Sequence, residues 1–453
     1  MTTHVTETIN LVNDSIDKEF TISEDFEMTP ELLDKFIQRH KNNIGHYQKL
    51  KNMYETVYPI SFKPKKEDSY KPDNRLSVNF AKYIVDTFNG YFIGNPIKST
   101  HENKKVNDYL DFLDSYNNQD DNNAELSKIC SIYGHGFELI FNDENGKIGL
   151  TYLNPMQAFL VFDESIRRKV LYCVRYYKNV DGKIEGTFSD NRNITHFMYT
   201  DDGLKFISEE EHYFNDVPVV EYVENAERKG IFESVESLIN AFNKSISEKA
   251  NDVDYYADAY MKILGEKLDE DVIKNLRDYR IINVSGENSE KVVVDFLAKP
   301  NSDTTQENLL DRLERLIFQI SMVANISDEN FAQSTGVSLK YKLQAMDNLA
   351  RTKERKFTAG LNRRYKIISN YPGSPLDGDD WVKIRYKFTR NVPSNLLEET
   401  EIARNLSGIV SEETQVNVLS IVDNAKDEIE NKRKDIEGSD GFMRVVDEEP
   451  KPV

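Results

Sequence analysis

Three long apolar stripes at helical spacing are crowded into residues 231–371, and their order restricts the architecture more than any motif does. Val235, Leu238, Ile239, Phe242, Ile246, Val253 and Tyr260 predict one helix from Ile231 to about Lys262. At about 1.5 Å per residue it would span on the order of 45 Å. Leu309, Leu313, Leu316, Ile317 and Ile320 predict a second, from Thr305 to Asn325, opened by the capping box Thr304-Thr305-Gln306-Glu307. The third runs from Ser338 to Tyr371 and stops at Pro372-Gly373. Between the first two lies a compact α/β piece: a helix near Asp269–Tyr279, then strands in "RIINVS" and "KVVVDFLA". Between the second and third is the polar break "SDENFAQSTG", Ser327–Gly336.

The flanking regions differ. Residues 1–28 are acidic and Thr-rich without a period, and read as a flexible arm. Thr29-Pro30-Glu31 starts a helix to Thr56 with Leu33, Phe36, Ile37, Tyr47 and Leu50 on one face. A Lys/Pro loop (residues 61–74) precedes a helix over Asn74–Pro96, then shorter helices near 104–116 and 122–133. From Gly134 to about Val223 the period becomes two, with a hairpin at Asn145-Gly146 and short strands after it. Past Pro372 come a strand, "WVKIRYKF", helices over 395–406, 412–422 and 423–436, and a charged tail (437–453). The fold class is α+β, mainly helical, with a β-rich insert.

Bulk composition excludes some functions. The 453 residues suffice for two to four domains, and 39% hydrophobic with 30% charged residues describes a globular chain rather than a disordered one. A formal charge of -20 argues against a sequence-reading DNA binder, which holds phosphates with Lys and Arg. It permits a surface past which DNA slides without adhering. Cys130 and Cys173 form no CxxC pair, which fits a reducing compartment. The opening "MTTHVTETIN" lacks the basic and apolar regions of a signal peptide, and no apolar run reaches the ~18 residues needed to span a bilayer, so no membrane association is expected.

Against this acidic background the third helix stands out. Between Ser338 and Tyr371 there are nine Lys or Arg, opposed by Asp347 and Glu354, a net of +7. Lys340, Lys342, Arg351, Arg355, Arg363 and Arg364 are the candidate intersubunit residues of this helix. The charge could bind a polyanion or pair with carboxylates of its own chain or of a neighbour, and pairing requires no extra partner. Catalytic motifs are wanting. No GxxxxGK[ST] occurs. "GDD" at Gly378–Asp380 sits among turn formers, "DENG" at Asp143–Gly146 lacks the later Glu of a calcium loop, and His135 has no ligand set at metal spacing. No catalytic residue, cofactor or metal is assigned.

Several segments, taken in order, resemble the portal (head–tail connector) proteins of tailed phages, of the type found in siphophages of Gram-positive hosts. They are "NRLSVNFAKYIVDTFNGYFIGNPI", "YGHGFELIF" with "LNPMQAFLVFD", "FNDVPVVEYVENAERKGIFESVESLINAFN" and "STGVSLKYKL". The resemblance covers roughly Thr29–Ile436 and implies a structural, non-enzymatic protein. It implies a dodecameric ring at one capsid vertex, part of the virion and assembled in the host cytoplasm. Double-stranded DNA would pass through its channel, and the terminase large subunit, head–tail adaptor, major capsid and scaffolding proteins would be its partners. In that scheme residues 29–230 form a wing, 231–262 and 305–326 stem helices, 263–304 a clip, 338–394 a long wing helix and strand, and 395–436 a crown. Residues 327–337 become a channel loop presenting Asp328, Glu329, Asn330, Phe331, Gln333, Ser334 and Thr335. Two other readings stand beside it: a nucleic-acid enzyme built on "GDD", and a helical scaffold with no DNA role.

Overall fold

The computed structural model describes residues 19–64, 72–257, 261–264, 293–296, 303–326, 336–392, 396–419, 421–422 and 425–446. They fall into two compact units: residues up to 332 with 341–390, and residues 333–340 with 391–453. The first unit opens with strand β1 (Phe20–Thr21), helix α1 (Pro30–Tyr54), α2 (Phe80–Ile93), β2 (Lys98–Thr100), α3 (Lys104–Tyr116) and α4 (Gln119–Tyr133). Strands follow: β3 (His135–Asn142), β4 (Ile148–Leu153), β5 (Ala158–Phe162), β6 (Val170–Lys178), β7 (Ile184–Ser189), β8 (Asn193–Thr200), β9 (Gly203–Glu211) and β10 (Val219–Val223). Next come α5 (Glu236–Ala257), β11 (Met261–Leu264), β12 (Val293–Phe296), α6 (Asp303–Ser321), α7 (Gly336–Ser369) and β13 (Arg385–Lys387). The described helices of the second unit are α8 (Leu396–Leu406), α9 (Glu412–Val416) and α10 (Ala425–Val446). Lys432 pairs with Glu412 at 2.9 Å there, and the Gln415 amide donates to the Ala403 carbonyl at 2.8 Å.

The β-rich part of the first unit is layered. A six-stranded sheet runs β1-β5-β6-β7-β8-β9 and a three-stranded sheet β10-β3-β4. All of "AFLVF" in β5 is buried, because both of its faces are covered. Phe159 and Val161 point toward Leu33, Phe36 and Ile37 of α1. Ala158, Leu160 and Phe162 point the other way, toward Phe137, Leu153 and Val219 of the smaller sheet. His40 of α1 lies within the first of these layers, between the Tyr176 hydroxyl (2.7 Å) and the Pro155 carbonyl (2.8 Å). Burial lowers its pKa to about 4, which keeps it neutral. The opposite face of β3 and β10 carries Glu138 and Tyr222, and α4 and α7 close over it. At the corner from α4 to β3 stands Gly134, φ +87°, where a Cβ would lie 2.1 Å from the Arg228 carbonyl oxygen.

Helix α5 holds the chain leading into α2 by a register match. Asn243, Ser247 and Asn251 recur every fourth residue on one face of α5 and are buried. They accept the backbone amides of Val78 (2.8 Å), Leu76 (3.0 Å) and Asn74 (2.6 Å). Four helical residues rise about 6 Å and two extended residues about 6.6 Å, so the two ladders coincide. This is why the helix expected from Asn74 starts only at Phe80: residues 74–79 are not helical, and the Asn79 side chain caps α2 by accepting from Lys82 at 2.9 Å.

Other expectations also need correction. The arm assigned to residues 1–28 is anchored from Phe20 onward, since β1 adds in parallel to β5 and Phe20, Ile22 and Met28 are core residues. The helix expected over Ile231–Lys262 is shorter. Glu233–Val235 form a 3-10 turn, α5 ends at Ala257, and Met261 already belongs to β11. The apolar stripe misled because Ile231, Phe232 and Val235 are buried without being α-helical. β9 went unpredicted because its "SEEE" end breaks the alternation. "WVKIRYKF" contains a 3-10 turn (Asp380–Lys383) and only three strand residues. The last helix continues through Val446, into the segment assigned to a tail. "RIINVS" and the helix near Asp269–Tyr279 lie outside the described residues; β11 and β12 pair antiparallel, Met261 opposite Phe296.

Helix α7 packs against β10 through Gly360, where an added Cβ would stand 2.4 Å from the Tyr222 ring. An interior helical glycine ordinarily costs about 0.5–1 kcal/mol relative to alanine. Gly360→Ala should nevertheless destabilise the chain, by about 1–3 kcal/mol, because the buried ring has to move. Gly45→Ala in α1, where a Cβ meets nothing within 4 Å, is the control of opposite sign. Urea-unfolding midpoints decide it: a midpoint for Gly360→Ala at or above wild type shows that the contact is not limiting.

Candidate functional site

Helix α7 is built of two kinds of cation. Lys353 and Arg364 are fully buried, while Lys342, Arg351, Arg355 and Lys366 are exposed. Eleven residues separate the buried two, about three turns, so both lie on one face. That face meets α4, β3 and β10.

Arg364 donates to both Glu138 oxygens, Nε to Oε2 and Nη2 to Oε1, each at 2.7 Å, and to Asn123 Oδ1 at 2.7 Å. Glu138 also accepts from Gln119 (3.0 Å) and the Tyr222 hydroxyl (3.1 Å). The guanidinium lies 5.8 Å from the Tyr222 ring centroid and 5.9 Å from that of Tyr365. Burial disfavours its charge, but Glu138 and the neighbouring groups outweigh this and raise its pKa. Lys353 uses its three donors on Glu224 Oε2 (2.7 Å), the Ser127 carbonyl (2.9 Å) and Ser131 Oγ (2.7 Å). Its ammonium lies 5.3 Å from the ring centroids of both Phe88 and Phe92.

A third node joins α1 to β10. His135 contacts the Tyr47 hydroxyl at 2.9 Å through Nε2 and Glu221 at 2.8 Å through Nδ1. Arg228 grips Glu221 with two bonds, 2.7 and 2.9 Å, and reaches Glu19. Burial would raise the Glu221 carboxyl, but Arg228 and His135 hold it down at about 2. His135 thus takes the structural place, at a helix-to-strand corner, that its sequence context suggests. Arg390 closes the far side of α7, at 2.5 Å from Glu354 and 3.5 Å from Asp347.

The residues assigned to an intersubunit surface therefore separate. Arg364 has its partners inside the chain and, at 1% exposure, cannot reach a neighbour. Arg363 is paired with Asp216 of the same chain at 3.1 Å. Arg351 forms an i,i+4 pair with Asp347 at 2.8 Å. Lys342 and Arg355 stay on the exposed side, and the side chain of Lys340 is outside the described residues. The proposed channel-loop residues, Asp328 to Thr335, are also outside them. Sequence reading passed over the carboxylates: Glu138 inside "FELIF", and Glu221 and Glu224 inside "VVEYVE". A carboxylate at a core-facing position of an apolar strand must be paired, and that was the available signal.

The motifs set aside on sequence have ordinary settings. Asp143 accepts the Asn145 and Lys147 amides of its own hairpin turn, at 2.9 and 2.8 Å. In "GDD", Asp380 pairs with Lys383 at 2.7 Å. Among the described residues no group of three or more His, Cys, Asp or Glu could hold a metal ion, and no helix is long and apolar enough to cross a membrane.

Residues 33–441 match the family described as "Phage portal protein, SPP1 Gp6-like". The chain belongs to this family of phage portal proteins. It is 24% identical to the portal protein of Bacillus phage SPP1 over 391 residues, covering 80% of this chain and 76% of that protein. It is 23% identical to the portal protein of Clostridium phage phiCD119 over 368 residues, covering 75% and 79%. A chain of the solved "Neck of empty GTA particle computed with C6 symmetry" shares the fold at a TM-score of 0.50 and 11% identity, over 83% of this chain and 93% of that one. The α+β portal fold inferred from element order is thereby established.

Burial, and not charge alone, should decide what each cation of α7 does in this portal protein. Lys353→Met leaves Glu224 buried without its cation and should cost about 3–5 kcal/mol. Arg355→Glu, two residues on and exposed, should change stability by less than about 0.5 kcal/mol. Urea titrations of the two variants compare them directly; equal losses would show that the buried pair has no special weight.

Proposed function

We propose that this portal protein assembles as a dodecameric ring at one capsid vertex and that double-stranded DNA passes through its channel during packaging and ejection. The observation that carries the reading is the family match across residues 33–441, which takes in the wing, stem, clip and crown segments together. In this reading the terminase large subunit docks on the ring while the head fills, and the head–tail adaptor docks afterwards. The outer wing meets the major capsid and scaffolding proteins. ATP hydrolysis belongs to the terminase, and the portal has no catalytic step of its own.

Local geometry supports this division of roles. Helices α5 and α6 run side by side, joined by the Lys249–Glu307 pair and by Gln306 donating to Asp252 at 2.9 Å. The β11–β12 ribbon lies between them in sequence, as a clip at the end of a stem would. Val253, Leu309 and Ile320 are exposed on these helices, apolar surface that an adjacent subunit would cover. Lys342, Arg351, Arg355 and Lys366 are the exposed cations of α7 that carboxylates of a neighbour would meet. The segment from 327 to 337 carries Asp328 and Glu329 and no Lys or Arg, so as a channel loop it would not trap phosphates.

Electron microscopy of the purified full chain tests the reading. Rings with a central hole are expected, and monomers at both low and high salt would contradict it. Deleting Asp328–Thr335 should leave rings intact and impair packaging or retention of DNA; normal packaging would remove the loop from the channel.

A further inference from the structure

The six-stranded sheet has an open groove of about 600 Å³ on its α1 side, beside Glu27 and Met28, which lead into α1. Tyr172, Phe188 and Phe206 make its floor. Their rings are packed edge-on and tilted, with centroids 6.1 Å (Tyr172–Phe188) and 5.1 Å (Phe188–Phe206) apart. Glu27, Asp190 and Glu209 stand at its rim, and no Lys, Arg or His is among the described residues that line it. The Tyr172 phenol is pushed up by burial first and then by the Asp190 and Glu27 carboxylates, so the field inside is negative. One wall is β9, which among the described residues pairs with β8 alone and ends the sheet, its outer backbone edge unpaired by them.

Acidic residues on an edge strand commonly serve to prevent sheets from pairing with one another. Glu209, Glu210 and Glu211 fit that role, and they also make a second copy of this chain a poor occupant, since like charges would meet. They do not account for the partly exposed rings of Tyr172 and Phe206, which flank buried Phe188 beside Ile207, itself 59% exposed. Nucleic acid is excluded by the sign of the rim. Charge complementarity and the free edge together suit one occupant: an extended polypeptide in which alternate side chains enter the groove while the backbone adds to β9.

We propose that this groove docks an extended segment of a different protein, one that carries Lys or Arg beside apolar side chains. The apolar side chains lie on the aromatic floor, and the cations meet Glu27, Asp190 and Glu209. The site is independent of the channel and belongs to the wing alone.

The test uses the full chain and short fluorescein-labelled peptides read by anisotropy. A peptide alternating Lys and Val should bind at least about tenfold tighter than a Glu/Val or a Lys/Ser peptide, and salt should weaken it. The double reversal Glu27→Lys/Glu209→Lys, at two exposed positions, should lower affinity about tenfold or more with the circular dichroism unchanged. Ile207→Ser should lower it severalfold without altering the salt dependence. Equal binding of a control peptide, or undiminished binding by the double variant, overturns the proposal. So does self-association that the double reversal abolishes, which would give the groove to a second copy.

Discussion

The rest of the first unit depends on how Arg364 and Glu138 satisfy one another. Taking both charges out of water costs several kcal/mol each, and their attraction offsets this only when every remaining donor and acceptor has a partner. Here Asn123, Gln119 and Tyr222 supply the missing partners. Lys353 and Glu224 form a second buried ion pair three turns earlier on the same face of α7, through Glu224 Oε2 alone. Two such contacts about 16 Å apart fix both the rotation and the axial position of the helix. A slip of one residue would turn both cations by about 100° and strand four charges in an apolar layer. These pairs therefore specify geometry more than they add net stability.

That distinction explains how one helix can serve two surfaces. Its +7 charge looked like one resource in the sequence. In the fold it is divided: Lys353 and Arg364 are buried in ion pairs that hold α7 to its own sheet, and Lys342, Arg351, Arg355 and Lys366 are exposed. A ring made of head-to-tail contacts needs such a subunit, stiff enough that a patch on one side meets its complement on the next copy at a constant angle.

Most helices and strands were legible because their apolar periodicity is strong; α1, α3, α6 and α7 begin and end within a few residues of where stripes and caps place them. Misreadings arose where polar groups do internal work. Asn243, Ser247 and Asn251 look like interruptions of the α5 stripe, yet they hold a non-helical segment through its amides. β9 looks like an acidic loop because an edge strand keeps its glutamates in water. Phe20 was lost in a polar arm because a two-residue strand has no period to detect. Which cations of α7 would be buried could not be read at all, since that depends on the carboxylates of β3 and β10, distant in sequence and next to it only in the fold.

A double-mutant cycle on Glu138 and Arg364, followed by urea unfolding, tests the central claim most directly. Glu138→Leu and Arg364→Leu should each cost about 3–5 kcal/mol, and the double variant should cost less than their sum by a coupling of about 2–3 kcal/mol. Additivity within about 0.5 kcal/mol would mean that the pair does not act as a unit and that something else positions the helix.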